Sequence, residues 1–393
     1  MGYFKGGGMA GNGERTLFTP VQIGEISLKH RVVMAPLTRS RAVQPGDVPG
    51  ALMKEYYGQR ASDGGLIISE ATTIALNAKG WYGAPGMYTD EQVEGWRSVV
   101  DVVHAKGGKM FSQLWHTGRA SHVETTGGLT PVSASAGTFE GGIVSTPTGW
   151  KPPSPARALE ISEIPQIVED YRRAAERAKA AGFDGVELHG ANGYLIDQFL
   201  QDGSNHRTDA YGGSIPNRAR LLLEVMEALV SVWGKGRVAV RIAPGGTYNG
   251  MSDSNVDGLF DYVAIELKRS ELAYLHVVEP RVRGNTVIKE GQGAIASERL
   301  KKVYGGKIIA AGGFDPQTAE ETVEAGIADL VAFGRHFVAN PDLVRRIHER
   351  LPLNAYDRDT FYTFEAKGYI DYPFYDTAAK AKSEDKQSGA SAG

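Results

Sequence analysis

The chain has 393 residues, with 43 Lys and Arg against 46 Asp and Glu, so its formal charge at pH 7 is −3. Hydrophobic residues make up 41% and charged residues 23%, a composition typical of a soluble globular protein with enough chain for a large core. The chain contains no cysteine, which excludes disulfides, iron–sulfur clusters, thiolate zinc sites and a cysteine nucleophile.

The balance of charge and apolar residues also bears on partners and location. Basic residues do not cluster, so the sequence carries no electrostatic footprint for nucleic acid. No apolar run approaches the ~20 residues of a membrane helix, and residues 1–13 lack the apolar core of a signal peptide. We therefore expect a cytoplasmic protein that binds neither nucleic acid nor membrane, as a monomer or a homodimer.

The two ends of the chain differ from its middle. Residues 1–14 are rich in glycine, and residues 377–393 mix Ala, Lys, Ser, Gly and Asp. Neither stretch has apolar residues to bury, so both are predicted to be disordered tails. A single domain is expected over residues 15–376.

Between the tails, short apolar runs alternate with segments of helical periodicity. The runs predict eight strands, at 31–35, 66–69, 109–114, 185–188, 238–242, 274–278, 307–310 and 330–333. Helices are predicted at 92–105, 163–181, 216–232, 316–325 and 341–351. Ser162, Asp315 and Asn340 precede three of these helices, each with a proline close behind, which is typical of a helix start.

Eight strands that alternate with helices predict a single (β/α)8 TIM barrel, an α/β fold with a closed parallel sheet. A doubly wound open sheet is the alternative. Two long connections stand out, an insertion at residues 116–160 after the third strand and a shorter one at residues 282–294 after the sixth. Long loops on a barrel are typically lids or substrate walls.

Polar residues follow the predicted strands, where the loops of a barrel open on one face. Gly312 and Gly313 follow the seventh strand, and Gly334 and Arg335 follow the eighth. Glycines admit backbone N–H groups to phosphate oxygens, and a guanidinium can bind two of them, so this pair of loops predicts a phosphate site. Tight turns beside a surface arginine are the alternative.

Two other strand ends carry groups suited to chemistry. Arg241 ends an apolar strand, where it serves either an anionic ligand or a structural ion pair. His189 and Asn192 lie three residues apart, which on one helical turn makes them converging donors for a carbonyl oxygen. A purely structural role at the strand end is the alternative. Tyr194 falls off that face, and Gly193 permits a break that turns its phenol toward a substrate as a general acid. No metal site is predicted, because His189 lacks a second ligand at a suitable spacing.

At these residues the chain resembles the Old Yellow Enzyme family of FMN-dependent ene-reductases, over residues 16–375. The resemblance is carried by five stretches in order: MAPLTR at 34–39, QLWHTGR at 113–119, HGANGYL at 189–195, RTDAYGGS at 207–214 and DTFY at 359–362. The 207–214 stretch is interpreted as a structural turn that leads into the next helix.

The resemblance implies bound FMN and places residues around it. Ala35, Pro36, Leu37 and Ala71 would pack against the ring, with Gln113 on its pyrimidine edge and Arg241 near N1 and the C2 carbonyl. Thr38 would donate toward the C4 carbonyl, as in the branch of the family with threonine rather than cysteine there. The phosphate would be held by Gly312, Gly313, Gly334 and Arg335, and Phe361 would complete the cofactor site.

The resemblance also implies the reaction. His189 and Asn192 would bind the carbonyl oxygen of an α,β-unsaturated substrate, an enone or enal, while hydride passes from flavin N5 to the β-carbon and Tyr194 protonates the α-carbon. NADPH or NADH would reduce the flavin beforehand in ping-pong turnover. Trp81, Trp115 and Tyr362 would wall the substrate cavity.

Three alternatives stay open at this stage. The first is a flavin reductase that acts mainly on quinones, nitro compounds or nitrate esters. The second is a flavin-free barrel isomerase or aldolase that binds a sugar phosphate, and the third is a non-catalytic flavin-binding protein. The physiological substrate, the stereochemical preference and the choice between NADPH and NADH stay open as well.

Overall fold

The computed structural model describes residues 15–288 and 293–376. Both predicted tails, residues 1–14 and 377–393, lie outside the described residues, and so does part of the predicted connection at 282–294.

Eight parallel strands form a closed barrel, as the alternating pattern predicts. In chain order the strands are β1 (Val32–Met34), β2 (Leu66–Ile68), β3 (Lys109–Trp115), β4 (Gly185–Gly190), β5 (Val238–Ile242), β6 (Tyr274–Val278), β7 (Ile308–Ala311) and β8 (Leu330–Phe333). Each strand pairs with its neighbour, and the pairing of β8 with β1 closes the ring. The alternative of an open sheet is therefore wrong.

Ten α-helices surround the barrel within the described ranges. They are α1 (Ala51–Arg60), α2 (Asp90–His104), α3 (Ile164–Ala180), α4 (Leu195–Leu200), α5 (Ile215–Trp233), α6 (Val256–Lys268), α7 (Ile295–Tyr304), α8 (Pro316–Glu324), α9 (Arg335–Ala339) and α10 (Leu343–Glu349). Short 3-10 turns lie at Thr16–Phe18, Leu76–Ala78, Ile161–Glu163, Tyr248–Gly250 and Arg358–Thr360.

The strands bury side chains on both faces, which explains why their sequences are apolar throughout. Outward residues such as Val186 and Leu275 join the helices in the larger core. Inward residues such as Phe111 and Tyr274 form a second core with an antiparallel hairpin, Val21–Ile23 and Ile26–Leu28. The hairpin closes the amino-terminal end of the barrel, so the opposite end is the one left open for a site.

The connection after β3 contains two short pairs of strands rather than one long element. Val132–Ser133 pairs with Arg157–Ala158, and Val144–Thr146 forms a hairpin with Gly149–Lys151. After β6, Val282–Arg283 and Thr286–Val287 form another hairpin. Both hairpins reach the carboxyl-terminal end of the barrel, where they wall the cavity described below.

The helices predicted at 163–181 and 341–351 begin within two residues of the predicted starts, but Ser162 and Asn340 do not cap them. The turn before α3 is capped by Glu160 with Glu163, so Ser162 lies inside a 3-10 turn and is not the cap. Before α10, the Asn340 side chain instead accepts from the Asn354 backbone at 2.7 Å and donates to the His336 carbonyl at 2.8 Å. Asp315 does cap α8, through the backbone N–H groups of Gln317 and Thr318.

Two further features of the described chain relate to the sequence predictions. The 207–214 stretch leads into α5, as predicted, and the Ser214 side chain caps the first turn of that helix. None of the helices within residues 15–288 and 293–376 is long and apolar enough to cross a membrane.

Candidate active site

A cavity of about 920 Å³ opens at the carboxyl-terminal end of the barrel. Its wall contains every predicted site residue except Trp115. The predicted residues that line it are Ala35, Pro36, Leu37, Thr38, Ala71, Trp81, Gln113, His189, Asn192, Tyr194, Arg241, Gly312, Gly313, Gly334, Arg335, Phe361 and Tyr362. The fold thus brings together residues from all parts of the chain, because the strand ends of a closed barrel share one face.

His189, Asn192 and Tyr194 converge in this cavity, but not through a helical turn. His189 lies in β4, and Asn192 and Gly193 adopt left-handed conformations with φ of 58° and 69°. The predicted helical geometry between His189 and Asn192 is therefore wrong, because α4 begins only at Leu195. A side chain at Gly193 would approach the Tyr248 carbonyl to 2.7 Å, so only glycine fits this turn.

Trp115 packs behind this group rather than in the wall. Its ring lies 6.3 Å from the His189 ring at an interplanar angle of 20°, and 4.9 Å from the Tyr194 ring nearly edge to face. His189 and Tyr194 are themselves 4.9 Å apart, edge to face. Trp115 therefore supports the two side chains that face the cavity, and the structure does not place it where a substrate would touch it.

Side chains of α4 and of the turn after β5 hold the 191–194 turn, and sequence reasoning missed them. Asp197 accepts from the Gly193 N–H at 2.8 Å, and Gln198 donates to the Gly193 carbonyl at 2.7 Å. Asn249 donates to the Asn192 carbonyl at 2.9 Å. Asp197 and Gln198 follow Tyr194 within one helical turn in the sequence, which is the signal that could have pointed to them.

The protonation of the two titratable groups follows from burial. Burial, together with the neighbouring positive charge of Arg241, lowers the pKa of His189 well below its ordinary value. Its Nδ1 accepts from the Ala191 N–H at 3.4 Å, so the neutral ring carries its proton on Nε2. Burial likewise raises the pKa of Tyr194 well above its ordinary value. At neutral pH the site therefore contains a neutral imidazole donor and a protonated phenol.

Glycines and an arginine form a cradle after β7 and β8. Gly312 and Gly313 have φ of 114° and 72°, in the region that favours glycine. A Cβ at Gly313 would lie 3.1 Å from Val287, and one at Gly334 would lie 3.1 Å from Leu37. Arg335 donates to the Tyr356 hydroxyl at 3.3 Å, which fixes its guanidinium at the cavity wall. The cradle has the features of an anion site.

Buried polar groups lie at the base of the cavity. The Arg241 Nε is buried and has no hydrogen-bond partner in the described part of the chain. Gln113 donates from Nε2 to Glu187 at 2.8 Å, and the second Glu187 oxygen lies 2.9 Å from His276 Nδ1. Glu187 and His276 were not predicted, because a polar residue inside an apolar strand shows no role until its partners are known.

A second buried carboxylate holds the loop that carries Thr38. Glu70 accepts from the backbone N–H groups of Arg39 and Ser40 at 3.1 and 3.3 Å, and burial raises its pKa to about 7. The Arg39 side chain donates to the Phe361 carbonyl at 3.1 Å. The loop after β1 and the segment with Phe361 and Tyr362 are therefore fastened together.

Aromatic side chains form the outer wall. Trp150, on the 144–151 hairpin, lies 5.4 Å from the Trp81 ring and 5.9 Å from the Tyr362 ring. Asn285, on the hairpin after β6, donates to the Tyr362 hydroxyl at 3.2 Å. Trp150 was not predicted as a site residue. Residues 15–288 and 293–376 contain no group of three or more His, Asp or Glu side chains placed to hold a metal ion.

Comparison with known proteins agrees with this geometry. The model of the NADH:flavin oxidoreductase / NADH oxidase family matches residues 16–354. The chain is 47% identical to 12-oxophytodienoate reductase 7 of Oryza sativa subsp. japonica, with 91% of this chain and 94% of that protein covered. It is 44% identical to flavin oxidoreductase hxnT of Emericella nidulans, with 91% and 97% covered.

Solved structures give the same result. Morphinone reductase in complex with tetrahydroNAD is 49% identical, with a TM-score of 0.85 and coverage of 92% of this chain and 98% of that one. The Old Yellow Enzyme homologue from Zymomonas mobilis is 43% identical, with a TM-score of 0.87 and coverage of 91% and 99%.

Proposed function

The chain belongs to the NADH:flavin oxidoreductase / NADH oxidase family, and on that basis we propose that it reduces the activated C=C bond of enones and enals. It is an oxidoreductase of the Old Yellow Enzyme type with FMN as its cofactor and a reduced nicotinamide as its reductant. The flavin-free isomerase or aldolase is therefore excluded. The observation that carries the proposal is the convergence of His189, Asn192 and Tyr194 on one cavity beside a cradle for phosphate.

The residues present fit FMN. The glycine cradle and Arg335 suit its phosphate, and the buried Arg241 Nε lacks a partner that a flavin carbonyl would supply. Ala35, Pro36, Leu37 and Ala71 offer small apolar contacts for the ring, with Gln113 at its polar edge and Phe361 completing the site. Thr38 also lines the cavity, and in this proposal it would donate toward the C4 carbonyl, as in the threonine branch of the family.

His189 and Asn192 bind the substrate carbonyl oxygen in this proposal. The neutral His189 donates from Nε2, and Asn192 donates from its amide, so the two groups polarise the conjugated alkene. A neutral imidazole suits this role because it needs no proton exchange with solvent. His189 at the end of β4 and Asn192 in the left-handed turn that follows both line the cavity, which supports a shared role for the two donors.

Tyr194 delivers the proton to the α-carbon. Its phenol stays protonated at neutral pH, and it projects into the cavity from the turn on which Asn192 lies. Bound FMN would supply the hydride chemistry that couples oxidation of NADPH or NADH to reduction of the β-carbon, with ping-pong turnover as part of the proposal. Trp81 and Tyr362 wall the substrate, whereas Trp115 acts through its packing on His189 and Tyr194.

An anaerobic absorbance experiment tests this function. The purified protein is expected to show flavin absorption that bleaches with NADPH and returns when a simple cyclic enone is added. If the flavin absorption returns with a quinone or a nitro compound but not with an enone, the result would instead support the flavin reductase alternative. A yellow protein that no acceptor reoxidises would indicate the non-catalytic alternative, and a colourless protein that FMN cannot reconstitute would overturn the proposal.

A further inference from the structure

Glu187 is a fully buried carboxylate inside the barrel, below the cavity. It lies on β4 two residues before His189, and its side chain is 0% exposed. Register places it beside Gln113 on β3, and places His189 beside Arg241 on β5. Arg241 in turn pairs with His276 on β6. These side chains therefore share the inner face of the barrel.

The hydrogen bonds of Glu187 determine which way the Gln113 amide faces. A carboxylate only accepts, so Gln113 must turn its NH₂ group toward Glu187, which it does at 2.8 Å. The carbonyl end of Gln113 is then left for a ligand in the cavity that Gln113 lines. A ring N–H is the group that such an acceptor binds.

The charge of Glu187 acts on Arg241. His276 offers Nδ1 to the second oxygen at 2.9 Å, and burial lowers the pKa of His276, so the Glu187–His276 pair carries one negative charge. Burial lowers the pKa of Arg241, and Glu187 is the carboxylate that opposes this shift. The positive charge at the base of the cavity is thus partly balanced from below.

We propose that Glu187 is a positioning residue that orients the Gln113 amide and, through its charge beside Arg241, lowers the midpoint potential of bound FMN. The inference rests on the proposed function. Two-electron reduction adds negative charge to the flavin, which Arg241 stabilises and Glu187 destabilises. Removal of the carboxylate charge should therefore favour the reduced cofactor.

Two substitutions separate charge from geometry. Glu187→Gln keeps an acceptor for Gln113 but removes the charge, so we expect the equilibrium to shift at least tenfold toward reduced flavin, about 30 mV for a two-electron couple. Glu187→Asp keeps the negative charge, but its shorter side chain moves the carboxylate away from the Gln113 amide. We therefore expect a midpoint potential close to that of the wild-type protein and an FMN dissociation constant raised about tenfold. Asp184→Asn, at the residue that immediately precedes β4 and away from the cavity wall, is the matched control and should leave the potential unchanged.

The measurements are a potentiometric titration against a reference dye and FMN titration of the apoprotein. A Glu187→Gln potential that is unchanged or lower would overturn the proposal, and so would a folded variant that binds no FMN. If Glu187→Gln does not fold, the Asp variant decides, since an unchanged FMN dissociation constant or a tenfold shift in potential would each contradict the inference. Failure of the proposed function would show in the wild-type protein, which would bind no FMN or would not be reduced by NADPH.

Discussion

At the scale of single residues, the site owes its chemistry to groups kept in one protonation state by burial. The pKa of His189 is lowered and that of Tyr194 is raised, so neither titrates near neutral pH. Near neutral pH, His189 is therefore a neutral hydrogen-bond donor, and Tyr194 is an acid that keeps its proton. Both protonation states follow from desolvation, which disfavours the charged form of each group.

Replacement of Tyr194 tests the role of the phenol. Tyr194→Phe keeps the ring that packs at 4.9 Å on both Trp115 and His189 but removes the proton donor. Reduction of a cyclic enone is expected to fall by roughly 10²–10⁴-fold, the range for a lost general acid. Reduction of a quinone or nitro compound should be retained, because those acceptors need no proton on carbon. Stopped-flow reoxidation of the reduced protein measures both, and equal losses for the two acceptors would contradict the assignment.

At the scale of elements, the turn between β4 and α4 is held from within α4. Asp197 and Gln198 bind the N–H and the carbonyl of Gly193, and the turn carries Asn192 and Tyr194 into the cavity. Because Asn192 and Gly193 are left-handed, the turn needs such partners to persist in one conformation. Side chains of α4 therefore fix the geometry of the 191–194 turn that precedes this helix.

Substitutions at Asp197 test this dependence. Asp197→Ala removes the acceptor for Gly193, and we expect kcat/KM for an enone to fall about 10- to 100-fold, as displacement of a reacting group by ~1 Å does. Asp197→Asn retains an acceptor and should recover most of the loss. Gln201→Ala is a matched control, because Gln201 also bonds Asp197, at 2.7 Å, without touching the turn. Equal effects of Asp197→Ala and Gln201→Ala on steady-state kinetics would argue against a specific role for the Gly193 contact.

The 144–151 hairpin is the element that covers the substrate side of the cavity. Trp150 is 47% exposed, yet its ring contacts Trp81 and Tyr362. Trp150→Ala should raise the KM for an enone about fivefold with little change in kcat, because the contact is made equally before and during the reaction. Phe364→Ala is the control, since Phe364 is 49% exposed and packs on Tyr82 outside the cavity wall. A fall in kcat at unchanged KM would refute this role for the hairpin.

At the scale of the whole molecule, buried titratable groups couple stability to pH in opposite directions. Burial lowers the pKa of His30 to about 4 and that of His116 to about 3. These groups bind protons in the unfolded chain below pH ~6.5 but not in the folded protein, so stability falls as the pH drops. Burial raises the pKa values of Glu70 and Asp197 to about 7, and their contribution falls as the pH rises toward that value.

His116 allows one of these contributions to be isolated. Between pH 7.5 and 5.5 it should cost the wild-type protein about 1.4 kcal/mol of unfolding free energy, one proton over roughly one pH unit below ~6.5. His116→Gln, which keeps an acceptor for the Gly118 N–H, should lose less stability over this interval by that amount. The control His206→Gln, at an exposed position, should lose as much stability over this interval as the wild-type protein. Denaturant unfolding at the two pH values measures the difference, and identical pH dependence in all three proteins would contradict the expected proton uptake.

The sequence alone predicted the barrel, because eight apolar strands alternating with helices have few other ways to bury both faces. The sequence also predicted that residues of the motifs line one cavity, because the carboxyl ends of the strands of a barrel lie on the same face. The missed elements were those with weak patterns, such as the hairpin at 21–28. Of the residues expected to cap helices, Asn340 bonds other partners, and Glu160 with Glu163 takes the place expected for Ser162.

Only the tertiary structure decided which buried groups meet. Glu187 is 74 residues from Gln113 and 89 from His276, and no local pattern can indicate that strand register brings the three side chains together. The same holds for Trp115, which lies behind His189 rather than in the cavity wall, and for Trp150, which reaches the cavity from a long connection. Residue types and their order along the chain determine the fold and the chemistry available, whereas orientation and electrostatic balance depend on contacts between distant segments, which exist only once the barrel has closed.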